Sequence, residues 1–113
     1  MPTRAEEIAW AAGLFEGEGA VTQVGRQFTL ALINTDEEVI RRFDDIVSLG
    51  QVYGPYDYQQ NDGYKRKPFF RWIAHEYNAL DAMQLLAPWL SKRRLNRGFE
   101  LTGCVFPAKR LPI

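Results

Sequence analysis

The sequence has little of what stabilises or anchors a chain from outside its own core. Its one cysteine, Cys104, provides neither a disulfide framework nor a metal knuckle. Its one histidine, His75, has nothing beside it in sequence that makes a ligand cluster, and it reads as a surface or sheet residue. The longest apolar run, Ile8–Phe15, is far short of the roughly 18 residues that read as a membrane span. Met1–Glu7 carries Arg4 but also Glu6 and Glu7, and lacks a signal-peptide pattern. The expectation is a cytoplasmic protein with no membrane partner. Net charge is missing too, because 14 basic residues balance 14 acidic ones. Taken alone, that speaks against nucleic acid, since phosphate contacts need Lys and Arg.

What is present points elsewhere. Three Trp, five Tyr and seven Phe bury enough apolar surface to exclude disorder. At 113 residues the length suits one domain, 1–113, with a core small enough for a second copy to complete. The zero charge is a cancellation: residues 1–50 carry four basic and nine acidic groups, residues 51–113 ten basic and five acidic. Such asymmetry between halves is itself a partner signal.

The spacing of apolar and turn residues predicts the elements. Thr3 with Glu6 has capping-box spacing, and Ile8, Ala11, Ala12 and Phe15 recur at helical intervals. A first helix over 3–17 follows, stopped by Gly17 and Gly19. Two strands, Ala20–Val24 and Gln27–Asn34, flank Gly25-Arg26 as a tight hairpin. Thr35 or Asp36 caps a second helix over Glu37–Leu49, with Gly50 past its end. Strands near Gln51–Tyr58 and Phe69–Glu76 are joined by a polar loop, Gln59–Pro68, that carries Lys65-Arg66-Lys67. Helices over Asn78–Ala87 and Ser91–Thr102 follow, with Pro88 ending the first of them. The tail 104–113 is expected to be irregular. The order α-β-β-α-β-β-α-α means an α+β fold, an antiparallel sheet with helices on one face.

The stretch Ala11-Ala12-Gly13-Leu14-Phe15-Glu16-Gly17-Glu18-Gly19 is the most informative. Ala9, Gly13 and Gly17 fall at successive i+4 positions, with Ala12 beside them. One helix face is nearly bare, so a second copy of the helix can pack closely across a twofold axis. Glu16 and Glu18 sit where the helix dipole is negative, a place that costs about 0.3–1 kcal/mol per acid. Acids in a disfavoured place beside glycines suggest a divalent cation, which prefers carboxylate and carbonyl oxygens. On the residues alone, blander alternatives stay open: packing glycines and a solvated acidic helix end. Likewise Lys92-Arg93-Arg94 with Arg97 reads as a solvated helix face, and Lys65-Arg66-Lys67 as a partnerless loop.

The nine residues Ala11–Gly19 resemble the LAGLIDADG motif of homing endonucleases, in the form AAGLFEGEG with Trp10 before it. The likeness runs over residues 6–103, through the two hairpins, Thr35-Asp36 before a helix, and Pro88-Trp89-Leu90 before Lys92-Arg93. The sequence departs from the motif with Glu at both acidic places and Ala at the leading Leu. The resemblance implies an αββαββα domain forming a saddle-shaped homodimer through Ala9, Ala12 and Gly13. It implies that Glu18, with the Gly17 carbonyl, ligates Mg2+ (or Mn2+), and that Glu16 supports the site indirectly. Asp36 corresponds to a polar position near metal-bound water, and Lys92 to a basic group of the active site, with Arg93 as its competitor by one register. A single motif implies the homodimeric branch, which cuts pseudo-palindromic double-stranded DNA.

The same family geometry puts the sheet's free face on the DNA major groove. Phe28, Leu30 and Leu32 share the face that goes under the helices. Thr22, Val24, Arg26, Gln27, Thr29 and Ala31 are then outward, with Arg71 outward on the last strand because Trp72 is core. Arg and Gln read guanine and adenine edges, while Lys65, Arg66, Lys67 and Arg93 suit DNA phosphates. Two rival functions stand beside the endonuclease. One is a catalytically silent binder of DNA or intron RNA, a splicing helper or regulator. The other is an interaction protein that uses the bare helix face for dimerisation alone.

Overall fold

The computed structural model describes residues 1–57 and 67–106. Helix α1 spans Arg4–Glu18. Thr3 Oγ1 accepts from Glu6 N–H at 3.1 Å, and Glu6 Oε1 accepts from Thr3 N–H at 3.2 Å, a reciprocal cap that satisfies two otherwise orphaned donors. Gly17 lies inside the helix, which ends at Gly19 with extended φ and runs straight into strand β1, Gly19–Val24. No left-handed cap is involved. A Cβ at Gly19 would strike the Phe15 ring, so the glycine is there for close approach.

Strand β2, Gln27–Asn34, pairs antiparallel with β1 from Val24↔Gln27 to Gly19↔Leu32. Gly25 alone of the two turn residues has positive φ (63°), the sign pattern of a type II′ hairpin turn. Helix α2 spans Glu37–Val47 with Asp36 as its cap. It ends two residues earlier than the sequence pattern predicts, because Ser48 takes the left-handed conformation (φ 56°) and donates its hydroxyl to Asp45 O at 2.8 Å. Gly50 has a tertiary role instead: a Cβ there would come within 2.6 Å of Ile73 O and the Trp72 ring.

Strands β3 (Gln51–Tyr56) and β4 (Phe69–His75) complete a four-stranded antiparallel sheet of order β1-β2-β4-β3. Helix α3, Glu76–Leu86, starts at the end of β4 with no linker, Glu76 reversing the chain at φ 54°. The sequence pattern placed this start two residues later. Pro88 sits within a 3-10 turn, Ala87–Trp89, a common finish to a helix. Helix α4 spans Lys92–Thr102, capped by Ser91. Among the described residues, no helix is long and apolar enough to cross a membrane.

Alternation along the strands divides the sheet. Val21, Phe28, Leu30, Leu32, Trp72 and Ala74 are buried on the helix-covered side. The core is tied by aromatic contacts: Phe43 meets Trp72 edge-on at 4.8 Å between centroids and stacks with Phe15 at 6.4 Å. The Trp72 indole N–H donates to Asp44 Oδ1 at 3.1 Å. Burial pushes the Asp44 pKa above its ordinary 3.8, and this outweighs the opposing pull of the Trp72 hydrogen bond. The opposite face of the sheet carries Ala20, Thr22, Val24, Gln27, Thr29, Ala31, Ile33, Arg71, Ile73 and His75 in cross-strand rows. On it Val24, Gln27, Ile33, Arg71 and His75 are exposed.

Candidate functional site

The last turn of α1 delivers two carboxylates in different directions. Glu18 is exposed and stands beside the end of β2, where its Oε2 accepts from Asn34 Nδ2 at 2.9 Å. The orientation of the Asn34 amide follows from its other contact. Asn34 Oδ1 accepts from the Asp36 backbone N–H at 2.8 Å, so the amide nitrogen must be the group that faces Glu18. Asp36 uses Oδ1 to accept from Val39 N–H at 3.3 Å as the cap of α2. A chain of contacts thus links Glu18, Asn34 and Asp36, and leaves Glu18 Oε1 without a partner among the described residues. A shallow cleft of about 230 Å³ lies there, lined by Glu18, Ile33, Asn34 and Thr35.

Asn34 was not among the candidates that the sequence supplied. Its signal was available: an Asn two residues before a helix cap is placed to accept the i+2 N–H in an Asx turn.

Glu16 turns the other way. Its carboxylate accepts from Ser91 N–H at 2.6 Å and from the Ser91 hydroxyl at 3.1 Å, at the start of α4. Arg94 donates to the Glu16 backbone carbonyl at 2.9 Å, lies over the Phe15 ring at 5.6 Å, and brings Nε to 3.5 Å from Glu16 Oε2. Burial raises the Glu16 pKa, but the Ser91 hydrogen bonds and the Arg94 charge together overcome it and hold the carboxyl below its ordinary 4.5. The negative end of α1 is thus offset by the positive N-terminus of α4. Glu16 therefore explains itself structurally, without an ion.

The basic run of α4 splits by the same geometry. Arg94 is turned inward, with only 12% of its side chain exposed. Arg93 is outward and lies 3.6 Å from Glu16 Oε2. Lys92 is exposed and has no ion pair among the described residues. Arg93, Arg94 and Arg97 face Gly19–Thr22 across a groove of about 530 Å³, and Arg97 Nε donates to Val21 O at 3.4 Å.

On α1, Gly13 and Gly17 are exposed, and a Cβ on either would meet nothing within 4 Å. Neither glycine packs against the rest of the chain. Ala9, half-buried, shares their side. Ala12 does not, in contrast to its expected place at a dimer contact. It is fully buried in the core with Ala11 and Phe15, because its position turns it toward the sheet.

The open sheet face is partly as expected. Val24, Arg26, Gln27, Lys67 and Arg71 are exposed, and Thr22 and Ala31 are half-buried. Thr29 departs from expectation. It is on the open side by register, yet only 1% exposed. Thr22 and His75 flank it across the sheet, and its hydroxyl bonds to Gln27 O at 3.3 Å and His75 Nδ1 at 3.0 Å. A direct Thr29 contact with a large ligand is therefore closed off. Lys65 and Arg66 lie outside the described residues.

This arrangement of four antiparallel strands under helices, entered through a glycine-marked helix, is the fold of the LAGLIDADG homing endonucleases. Two solved structures that share it are crystal structures of the homing endonuclease I-CvuI. One is in complex with the I-CreI target in 2 mM Mg, with the DNA not cleaved; it is 17% identical to this chain at a TM-score of 0.62. The other is in complex with its own target in 2 mM Ca, at 16% identity and the same TM-score of 0.62. Each match covers 87% of this chain and 65% of the I-CvuI chain, so this chain spans about 65% of that neighbour's length. No family model matches the sequence, and no curated protein matches it.

Proposed function

We propose that this chain is one half of a homodimeric, divalent-metal-dependent endonuclease that cuts double-stranded DNA at a pseudo-palindromic site. The observation that carries this reading is Glu18: an exposed carboxylate with one oxygen held by Asn34 and the other without a partner among the described residues, at the end of a bare helix stripe. The fold's neighbours, I-CvuI complexes, hold target DNA. The stripe of Ala9, Gly13 and Gly17 is the proposed contact between copies, and it brings two Glu18 side chains toward one axis.

The donor set fits a hard cation. Glu18 Oε1 and the Gly17 carbonyl are oxygen donors, and magnesium completes its shell with waters and phosphate oxygens. When bound, Mg2+ or Mn2+ supplies an activated water and stabilises charge on the phosphate and the leaving oxygen. The chain's own residues do the rest. Asn34 orients the Glu18 carboxylate. Asp36 holds Asn34 through its backbone N–H and keeps one carboxylate oxygen beyond its cap bond. Glu16 and Ser91 tie the end of α1 to α4, which fixes where Lys92 and Arg93 stand; these two cations are the groups proposed to face phosphate. Arg26, Gln27 and Arg71, together with Lys67 and the half-buried Thr22 and Ala31, form the proposed DNA-facing surface. Lys65 and Arg66 extend the proposed phosphate contacts.

The test is a nicking assay on a pool of duplexes with magnesium. Glu18→Gln is expected to abolish cleavage while it leaves duplex binding and dimer mass intact. Cleavage equal to that of the native chain would falsify the assignment. Duplex binding with no cleavage in either magnesium or manganese is the outcome that selects the rival reading, a catalytically silent binder of DNA or intron RNA.

A further inference from the structure

The open face of the sheet contains one side chain whose hydrogen-bonding sense is set by its neighbours. Thr29 and His75 are cross-strand partners in β2 and β4, with Thr29 Oγ1 3.0 Å from His75 Nδ1. A hydroxyl has one proton, and Gln27 O, which can only accept, lies 3.3 Å from Thr29 Oγ1. Both contacts are hydrogen bonds at once when Thr29 donates to Gln27 O and accepts from His75 Nδ1. In that arrangement Nδ1 carries the proton and Nε2 of the neutral ring is a bare acceptor.

The ring is also placed to use that acceptor. His75 is exposed, while Thr29 beneath it is closed to solvent at 1%. His75 belongs to the same open face as Thr22 and Gln27, and it borders a cleft of about 320 Å³ with Gln51, Tyr53 and Asn78. It precedes α3 but makes no side-chain cap bond to it, so the helix gives no account of the imidazole.

From this geometry we propose that His75 is a specificity-determining residue of the DNA-binding face. Its Nε2 accepts a hydrogen bond from an exocyclic amino group, adenine N6 or cytosine N4, in the major groove. Guanine and thymine offer acceptors at the major-groove edge, and two acceptors cannot pair. Thr29 acts through His75 as a positioning residue, which gives its buried hydroxyl a role that direct contact does not. The proposal rests on the duplex-DNA reading above.

The experiment is selection from a random duplex library followed by sequencing of the bound fraction, for the native chain, His75→Ala and Thr29→Val. The native chain is expected to favour adenine or cytosine over guanine or thymine by about fivefold at one symmetric pair of positions, the scale of a single base-edge hydrogen bond. His75→Ala should bring that preference below about twofold and leave the other positions alone. Thr29→Val keeps the imidazole but frees its tautomer, so it should relax the same position and no other, with thermal melting to check the fold. An identical profile for His75→Ala and the native chain overturns the assignment of His75 alone. A preference for guanine or thymine that depends on His75 overturns the tautomer. If the native chain enriches no duplex at all, the DNA reading and this proposal fall together.

Discussion

Glu16 and Glu18 leave the same last turn of α1 two residues apart, yet Glu16 closes against the start of α4 while Glu18 stands in solvent beside Asn34. The dipole of α1 penalises both equally. Glu16 has that penalty offset by Ser91 N–H, the Ser91 hydroxyl and the Arg94 charge, whereas Glu18 has one hydrogen bond, from Asn34, and no cation among the described residues. A misplaced acid is therefore a weak pointer to a metal until its partners are known. After those partners are subtracted, Glu18 is the acid that keeps one oxygen without a partner among the described residues. The two sides of α1 differ in the same way, with Ala11, Ala12 and Phe15 sealed into the core and Gly13 and Gly17 facing nothing.

The comparison can be broken most sharply by neutralising each acid in turn. Glu18→Gln is expected to lower cleavage by about a thousandfold, the scale of several kcal/mol of lost charge stabilisation, with an unchanged melting temperature. Plasmid nicking and calorimetry measure the two quantities on one preparation. The two sides of α1 are separated next by Gly13→Arg. A side chain there clashes with nothing in the chain, so the fold should hold or gain up to about 1 kcal/mol in helix propensity. Light scattering should then report monomer for the variant against the dimer proposed for the native chain, and equal mass for the two would remove the bare stripe as the interface.

Glu16→Ala should show the reverse of Glu18→Gln. It strands Ser91 N–H and Arg94, so urea unfolding is expected to give a loss of about 1–3 kcal/mol, while cleavage per folded molecule falls by under about tenfold, far less than with Glu18→Gln. The loss should also depend on pH. The folded pKa of Glu16 lies below its unfolded 4.5, so its contribution is fully present above that value and disappears as pH falls through the folded one. The Ala variant should lack this leg. Asp44 gives the smallest effect and the opposite sign. Its folded pKa is raised above 3.8, so the ionised form carries a cost at neutral pH that acid relieves. Relative to the native chain, Asp44→Asn should gain stability between about pH 4 and pH 7, by under about 1 kcal/mol.

Local signals carried most of the architecture. Thr3 and Glu6 announced their helix, Gly25-Arg26 its hairpin, and the alternation of Phe28, Leu30 and Leu32 the covered face. What was hidden required partners distant in sequence. Gly50 looks like a helix terminator, but its smallness serves Trp72 and Ile73. The Ser91 contact that explains Glu16 spans 75 residues. Parity put Thr29 on the correct side of the sheet, but accessibility depends on the neighbours, and His75 is 46 residues away. Ala12 was assigned to the bare stripe by its size, whereas its angular position sends it inward. At the candidate site Glu18 was readable from the motif-like stretch. Asn34 was not, because its importance comes from joining two elements that each looked complete.

The two outer strands of the sheet share a further property. Along β1 the edge is flanked by α4, whose Arg97 donates to the Val21 carbonyl. Along β3, Pro55 has no N–H to offer and the pairing slips between Tyr53 and Tyr56. Unpaired strand edges are templates for adding further strands, and aggregation follows from them. By different means both margins are poor templates. The protein can therefore leave one broad sheet surface bare, with Val24 and Ile33 exposed on it, and still resist growing sideways into a shared sheet with its neighbours.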